Sequence, residues 1–309
     1  PDILMIDNII TYNDKWILEL KNNFHFIKKI IGYICSPDYN PKKIKNYDFI
    51  LTCLESIKIK IKKYNKNTFI VPLAFNTRIL DKVEKKTNYL NKIIFYGGIL
   101  RGEGMHSYRE KLLNFLVHNN LKIDMYSEAY NFNNFKAVTY FLIKKSICLL
   151  ISFAIKAPFI KSLVINSSFY DRMILWQNLK WRYFNNNLKN NLKRPLYGIK
   201  LFDKLSTYIA ALNVHGDVVG SEAANLRLFE AAGMGCCLLT DYKINNNKFF
   251  NSNEILEYSN PHECLKKIEW IYNNKEEAKS IGRKAQKRVL KDHTYHDRAK
   301  LILQIIKNG

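Results

Sequence analysis

The residues best suited to chemistry lie in one stretch, HGDVVGSEAANLRLFEAAGMGCCLLTD, running from His215 to Asp241. Ser221 can cap a helix whose interior, AANLRLFEAAG, is apolar nearly all round, and Gly233 can supply the left-handed residue that ends it. Such a helix is expected to be buried. It nevertheless carries Arg227 and Glu230 three positions apart, with Asn225 beside them. A buried charge needs a partner, because taking an ion out of water is costly. Two readings follow. The pair is either an internal ion pair that satisfies itself, or an acid and a guanidinium facing a cleft at the end of a sheet, where the hydroxyls and phosphates of a ligand would meet them.

Two further loops converge on the same place if the chain folds as a doubly wound sheet. GGILRGEG, Gly97 to Gly104, leaves an apolar strand on a glycine pair; Gly97 and Gly98 would let backbone N–H groups approach a phosphate closely, with Arg101 in the same loop. A tight turn asks for the same glycines, so this signal counts only beside the others. NVHGD, Asn213 to Asp217, leaves the strand before the Glu230 helix and sets His215 and Gly216 at a strand's carboxyl end.

Those residues need a sheet to hold them. The first part of the chain alternates short apolar runs, ILMI (Ile3 to Ile6), KIIGYIC (Lys29 to Cys35), DFILTC (Asp48 to Cys53) and TFIVPLAF, with amphipathic stretches near Asp14 to Leu20 and up to Tyr64. Strand, helix, strand at this spacing predicts a parallel sheet covered by helices, and the scarcity of polar alternation suits burial on both faces. A polar, lysine-rich stretch from about Asn76 to Asn91 reads as a linker, after which KIIFYGG opens a second α/β domain. Its strands are LKIDMY, AALNVH, CCLLTD and EILEYS; its helices include SYREKLLNFLVHN, EAANLRLFEAAG, Pro261 to Asn273 and Lys275 to Lys291, and a last amphipathic helix follows HTYHDR. The 309 residues thus divide into a first domain at 1–85 and a second at 92–296, with the final helix, 297–309, able to pack back on the first. The chain opens without an initiator Met on a strand already under way, so it is expected to be a fragment of something longer.

The formal charge is +22, from 49 Lys+Arg against 27 Asp+Glu. A nucleic acid, an anionic membrane surface, or a bare compositional bias toward Lys, Asn and Ile would each account for it. Zinc-finger spacing, an RNA-recognition aromatic signature and a basic-region heptad array are all missing, so nucleic acid is not expected. The segment at about 130–194 is almost without acids and contains FLIKKSICLLISFAIKAPFIKSLVI and MILWQNLKWRYF. Its apolar run from Ser146 to Ile155 is shorter than the roughly 20 residues a membrane span needs. These helices either pack on the protein's own core or lie in a membrane interface with Trp176 and Trp181 as anchors. Six cysteines without C-x-x-C spacing stand mostly in apolar runs, so they are expected to be buried thiols in a reducing cytosol rather than bridges. No basic-then-apolar leader opens the chain, and the expected location is cytoplasmic, at the inner face of the membrane if the middle segment meets lipid.

In order and spacing, the blocks PLYGIKLFDKLSTYIAALNVHGD, NLRLFEAAGMGCCLLTDYKINNNKFF, EILEYSNPHECLKKI and RKAQKRVLKDHTYHDR resemble the donor-binding half of group-1 GT-B glycosyltransferases, in particular the spore-maturation CgeB-like type. The resemblance covers about Lys92 to the C-terminus apart from 130–194, and Asp2 to Leu80 is similar to the second half of the family's acceptor domain. It implies an α/β fold of two Rossmann-like domains facing across a cleft, the N-terminal one incomplete. It further implies metal-independent transfer of a sugar from a nucleotide-sugar to a glycan or lipid-linked acceptor, in cell-envelope or surface polysaccharide synthesis.

Residue by residue, the resemblance implies that Glu230 takes the ribose hydroxyls of the nucleotide, since one carboxylate can accept both. Asn225, Arg227, His215 and Gly216 would lie toward the diphosphate, and Tyr197 and Gly198 near the base. Gly97, Gly98 and Arg101 complete the donor-binding set. Glu222 stands eight positions before Glu230, the spacing of the two-glutamate pair of retaining enzymes, and is the expected catalytic residue. Enzymes of this fold stabilise the departing diphosphate with helix N-termini and cationic side chains. No D-x-D triplet occurs, so neither a metal nor any other cofactor is expected. The competing expectation is a non-catalytic protein of the same shape that binds nucleic acid or an anionic membrane.

Overall fold

The structure is a computed structural model and describes residues 2–7, 9, 14–35, 44–84, 89–99, 106–133, 135–154 and 186–308. Arg101, Trp176 and Trp181 lie outside these residues. The chain divides into two compact units: Pro1–Ile94 together with Tyr197–Gly309, and Phe95–Leu196.

In the first unit the apolar runs near the N-terminus form a parallel sheet of strands β1 (Ile3–Ile6), β2 (Lys29–Ile34), β3 (Phe49–Thr52) and β4 (Thr68–Ile70), in that order. Helices α1 (Asp14–Asn23) and α2 (Glu55–Lys62) are crossovers between them. Every residue of β3 is buried, as a strand covered on both faces should be. A second sheet begins with β5 (Leu90–Tyr96), whose last two residues lead into the second unit. There it is followed by α3 (Ser107–His118), β6 (Ile123–Tyr126), α4 (Phe135–Ala154), α5 (Asn186–Asn191) and β7 (Leu192–Lys193), with β6 and β7 parallel. Back in the first unit come α6 (Ile199–Leu205), β8 (Tyr208–Asn213), α7 (Leu226–Gly233), β9 (Cys237–Asp241), β10 (Leu256–Tyr258), α8 (Pro261–Asn273), α9 (Lys275–Asp292) and α10 (Tyr295–Asn308). Here the strand order is β10, β9, β8, β5, and the first three pair in parallel.

Packing explains several sequence choices. A Cβ on Gly282 of α9 would run into the backbone from Gly235 to Cys237, so glycine there lets α9 lie directly on the start of β9. The final helix α10 sets Leu301, Ile302, Ile305 and Ile306 against Ile31, Phe49, Leu51 and Val71 of the first sheet and the residue that follows it. Arg298 fixes that docking by donating to the Pro72 carbonyl at 2.9 Å.

Cys35 and Cys53 form a disulfide with their Cα atoms 5.5 Å apart, which corrects the expectation of six separate thiols. The cause is register. Ile34 stands opposite Thr52 in the β2/β3 ladder, so the next residues of the two strands, both cysteines, come side by side. Cys148, Cys236, Cys237 and Cys264 are buried thiols. No described helix is long and apolar enough to cross a membrane.

Candidate functional site

Strand β8 is buried along its whole length and delivers Asn213 and His215 to its carboxyl end. Asn213 is a hub there. Its amide nitrogen donates to Thr240 Oγ1 at 2.9 Å, while its Oδ1 accepts from Asn225 Nδ2 at 2.9 Å and from Arg227 Nε at 3.3 Å. Its carbonyl accepts the Tyr258 hydroxyl at 3.0 Å. A guanidinium and the start of a helix are thereby tied to the tip of a central strand, a rigid placement for groups meant to meet a ligand.

Helix α7 starts one turn later than the sequence suggests. Asn225, in extended conformation, is its cap and accepts from the Leu228 amide at 3.2 Å, so Ser221 does not cap it. Nor does Gly233 end it in a left-handed conformation; Gly235 does, at φ +80°. Gly233 is required by contact instead, because a Cβ there would lie 2.6 Å from the Phe75 ring. The helix buries Leu228, Phe229, Ala231 and Ala232, and leaves Arg227 and Glu230 half-buried on the opposite side. Acid and guanidinium are therefore not sealed into a core.

His215 sits beside that end of the sheet with its side chain fully buried. Asp241, at the end of β9, accepts twice through Oδ1: from the His215 backbone amide at 3.0 Å and from Nδ1 at 2.7 Å. Lys243 Nζ lies 3.4 Å from the other carboxylate oxygen and donates to the Gly220 carbonyl. Burial pushes the imidazole below its ordinary value, against the pull of Asp241. Burial also pushes Asp241 up, but the bond and charge of His215 outweigh it and hold the carboxyl below its ordinary value. An ionised Asp241 cannot donate, so Nδ1 carries the proton and Nε2 is left as an acceptor. That Nε2 is buried and has no hydrogen-bond partner. His293 makes the contrast: its Nε2 bonds the Phe249 carbonyl at 2.9 Å, its Nδ1 accepts from Arg298 at 2.9 Å, and three phenylalanines surround its ring.

Glu222, the expected catalytic residue, is 9 % exposed, and both carboxylate oxygens are engaged. They accept from the backbone amides of Glu55 at 2.7 Å and Ser56 at 2.9 Å, the first residues of α2. Helix α2 has Leu54 at its cap position and no side-chain cap of its own. A carboxylate far along the chain thus does the work an adjacent Asp or Ser usually does. The loop that carries it is pinned by Asn245, which accepts from the Ala223 amide at 2.6 Å.

Gly216 is buried at the head of a short 3-10 turn, Asp217–Val219, next to His215, and the structure ties Asn225 and Arg227 to Asn213 at the carboxyl end of β8, while Glu230 lies three residues beyond Arg227 on α7, near Tyr295. Gly198 precedes α6 at φ +56°, and Tyr197 beside it is exposed. Gly97 and Gly98 follow β5; Gly97 has φ +140° and donates to the Tyr126 carbonyl at 3.0 Å, and Arg109 binds the Gly98 carbonyl at 3.1 Å. Asp241, Asn213 and Tyr295 were not singled out in the sequence. Tyr295 is close enough to Glu230 and Asp7 that burial and their charges raise its hydroxyl above the usual range. The only sequence signal for it was its place in HTYHDR, where Thr294 and Asp297 bond reciprocally to open α10. Among the described residues no group of three or more His, Cys, Asp or Glu is placed to hold a metal ion.

The sequence profile of the glycosyl transferase-like family matches residues 158–304. No curated protein is significantly similar to the chain in sequence. Solved structures share its fold at low identity. TarM from S. aureus, in complex with fondaparinux, α-GlcNAc-glycerol and UDP, superposes with a TM-score of 0.58 at 14% identity, over 98% of this chain and 55% of TarM. HepE from Anabaena in complex with UDP gives 0.58 at 7% identity over 100% of this chain and 79% of HepE. An α-glucosyltransferase in complex with UDP-glucose and DNA containing an abasic site gives 0.60 at 11% identity, over 99% of this chain and 80% of the enzyme. The chain thus spans little more than half the length of TarM. Parallel sheets flanked by helices and these neighbours together establish an α/β fold of two Rossmann-like domains, the GT-B fold of glycosyltransferases, with a glycosyl transferase-like region over 158–304.

Proposed function

We propose that this chain transfers a sugar from a nucleotide-sugar to a glycan or lipid-linked acceptor, as a CgeB-like enzyme of cell-envelope or surface polysaccharide synthesis working at the cytoplasmic face of the membrane. One observation carries the reading: Arg227 and Glu230 stand half-open on α7 beside the carboxyl end of β8, where open α/β sheets bind ligands. The UDP and UDP-glucose held by HepE and the α-glucosyltransferase make uridine nucleotides the first donors to test.

In this reading Glu230 accepts the two ribose hydroxyls, while Arg227, Asn225 and the positive end of the α7 dipole face the diphosphate. Tyr197 and Gly198 flank the base. In the reaction the bond from the anomeric carbon to the phosphate oxygen breaks and its electron pair leaves with the diphosphate. The acceptor oxygen forms the new bond to that carbon and its proton passes to solvent, leaving the glycoside and the nucleoside diphosphate as products. Fixed dipoles and a guanidinium aimed at the leaving oxygens lower that barrier without a bound metal. Because Asp241 keeps the His215 proton on Nδ1, the orphan Nε2 suits a ligand hydroxyl rather than a phosphate oxygen. Engagement of Glu222 by α2 favours a positioning role for it over contact with the reacting atoms.

Titration calorimetry with uridine, guanosine, thymidine and cytidine diphosphates, with and without EDTA, tests the reading. Binding of one of them unaffected by EDTA is expected, with affinity reduced at least tenfold in Glu230→Gln while the fold is kept. No binding at millimolar nucleotide would remove the enzyme reading, and unchanged affinity in Glu230→Gln would return that residue to a structural role.

A further inference from the structure

We propose that the outward face of α4 is the surface by which this protein rests on an anionic lipid bilayer. The inference extends the proposed function by naming the contact that would bring the enzyme to a lipid-linked acceptor, and rests on that reading only for its purpose.

Helix α4, FKAVTYFLIKKSICLLISFA, carries lysines and no acid. Its residues Leu142, Ile143, Ile147, Leu149, Leu150 and Phe153 are all exposed, Leu150 at 70% and Phe153 at 68%. At about 100° per residue these six fall within one arc of roughly 160°, with the buried Cys148 on the other side. Among the described residues, six large apolar side chains gathered in one exposed arc, with only the small polar Thr139 and Ser146 between them, mark a contact surface rather than scattered surface residues. The edges of the arc are basic. Lys144 borders it next to Ile147 and lies 4.1 Å from the Tyr140 ring, and Lys145 borders it next to Leu149 and lies 5.9 Å from the Phe141 ring. Lysines flanking an apolar stripe can bury their stems at the acyl boundary and keep the ammonium among headgroups, and an exposed Tyr suits the same level.

Charge selects the occupant. Residues 135–196 hold 11 Lys+Arg and one acid, a net +10 of the chain's +22 in a fifth of its length. An apolar face bordered by the lysines of its own helix matches a surface that is apolar within and negative at its border, as an anionic bilayer is. No described helix is long and apolar enough to cross the membrane, so α4 would lie in its plane.

The test is flotation of the full chain with vesicles of phosphatidylcholine alone or with 30 mol% phosphatidylglycerol, at low and high salt. Binding to the anionic vesicles is expected, falling several-fold in high salt. Leu150→Glu with Phe153→Glu should cut partitioning at least tenfold, and Lys144→Glu with Lys145→Glu should abolish the preference for anionic lipid. Ile59→Glu, an equally exposed apolar position on α2, should change neither. Circular dichroism and UDP titration on each variant separate the two readings: UDP binding with no flotation overturns the membrane surface alone, and flotation without nucleotide binding overturns the proposed function alone. Wild-type flotation retained by Leu150→Glu with Phe153→Glu also overturns the surface, as does self-association that these changes abolish in a chain that never binds vesicles.

Discussion

Replacing Glu222 separates two roles that its position in the sequence leaves indistinguishable. Its carboxylate accepts two backbone hydrogen bonds, at 2.7 and 2.9 Å, at the start of a helix that has no other side-chain cap. Hydrogen bonds to a charged group contribute about 1.5–3 kcal/mol each, and an anion at a helix N-terminus about 0.3–1 kcal/mol. Water can recover part of the loss at the first turn, so Glu222→Ala is expected to destabilise the protein by about 2–4 kcal/mol. Glu222→Gln keeps one good acceptor oxygen but no charge, and about 1–2 kcal/mol is expected. At roughly 2–4 °C per kcal/mol for a body of this size, the alanine variant should melt about 4–16 °C lower. The assay pairs thermal unfolding with amide hydrogen exchange, in which the Glu55 and Ser56 amides should lose protection in Glu222→Ala before the rest of α2. A catalytic carboxylate would behave differently, with stability and amide protection kept and turnover lost. An alanine variant within about 0.5 kcal/mol of wild type, with both amides still protected, would refute the capping argument.

Asp241→Asn keeps the shape of the His215 partner but can place a proton donor on Nδ1, moving the imidazole proton to Nε2; the side-chain 15N spectrum should report that change, and sugar-nucleotide affinity should fall while free UDP affinity changes little. Acid stability follows from the same pair. His215 and Asp241 both have lowered folded pKa values, so each binds protons more weakly folded than unfolded, and stability declines below about pH 6.5 for the histidine and then as the pH falls through the folded value of the aspartate. His293 is also lowered, so His215→Gln should make the decline in urea midpoint between pH 7 and 5 shallower without removing it, and an unchanged slope would count against the buried neutral imidazole. Gly233→Ala would gain about 1 kcal/mol in an open helix, yet the 2.6 Å approach to Phe75 should turn that into a loss of about 1–3 kcal/mol, relieved in part by Phe75→Leu.

Much of the arrangement around the end of β8 is legible in the chain. Apolar runs without polar alternation identify β2, β3, β8 and β9 as strands covered on both faces, and a charged pair three apart on a mostly apolar helix identifies Arg227 and Glu230 as residues needing an explanation. The cap of α7 is not legible in the chain because Ser221 and Asn225 are both good caps, and only the path of the loop decides which meets the Leu228 amide. Gly233 looked like a helix terminator because glycine serves both left-handed turns and close approaches, and the facing ring of Phe75 is remote in sequence.

By itself the sequence determined the alternation of strands and helices, the apolar and basic character of the middle segment, and the residue types gathered at the end of β8, because periodicity and close spacing act over a few residues. Tertiary structure alone decided that Glu222 caps α2 across 167 positions, that Asp241 sets the proton on His215 across 26, that Cys35 meets Cys53, and that α10 returns to cover the first sheet. Each of those depends on which strand lies beside which and in what register. That is fixed by the burial of whole faces, a property summed over distant residues that no local window of the chain contains.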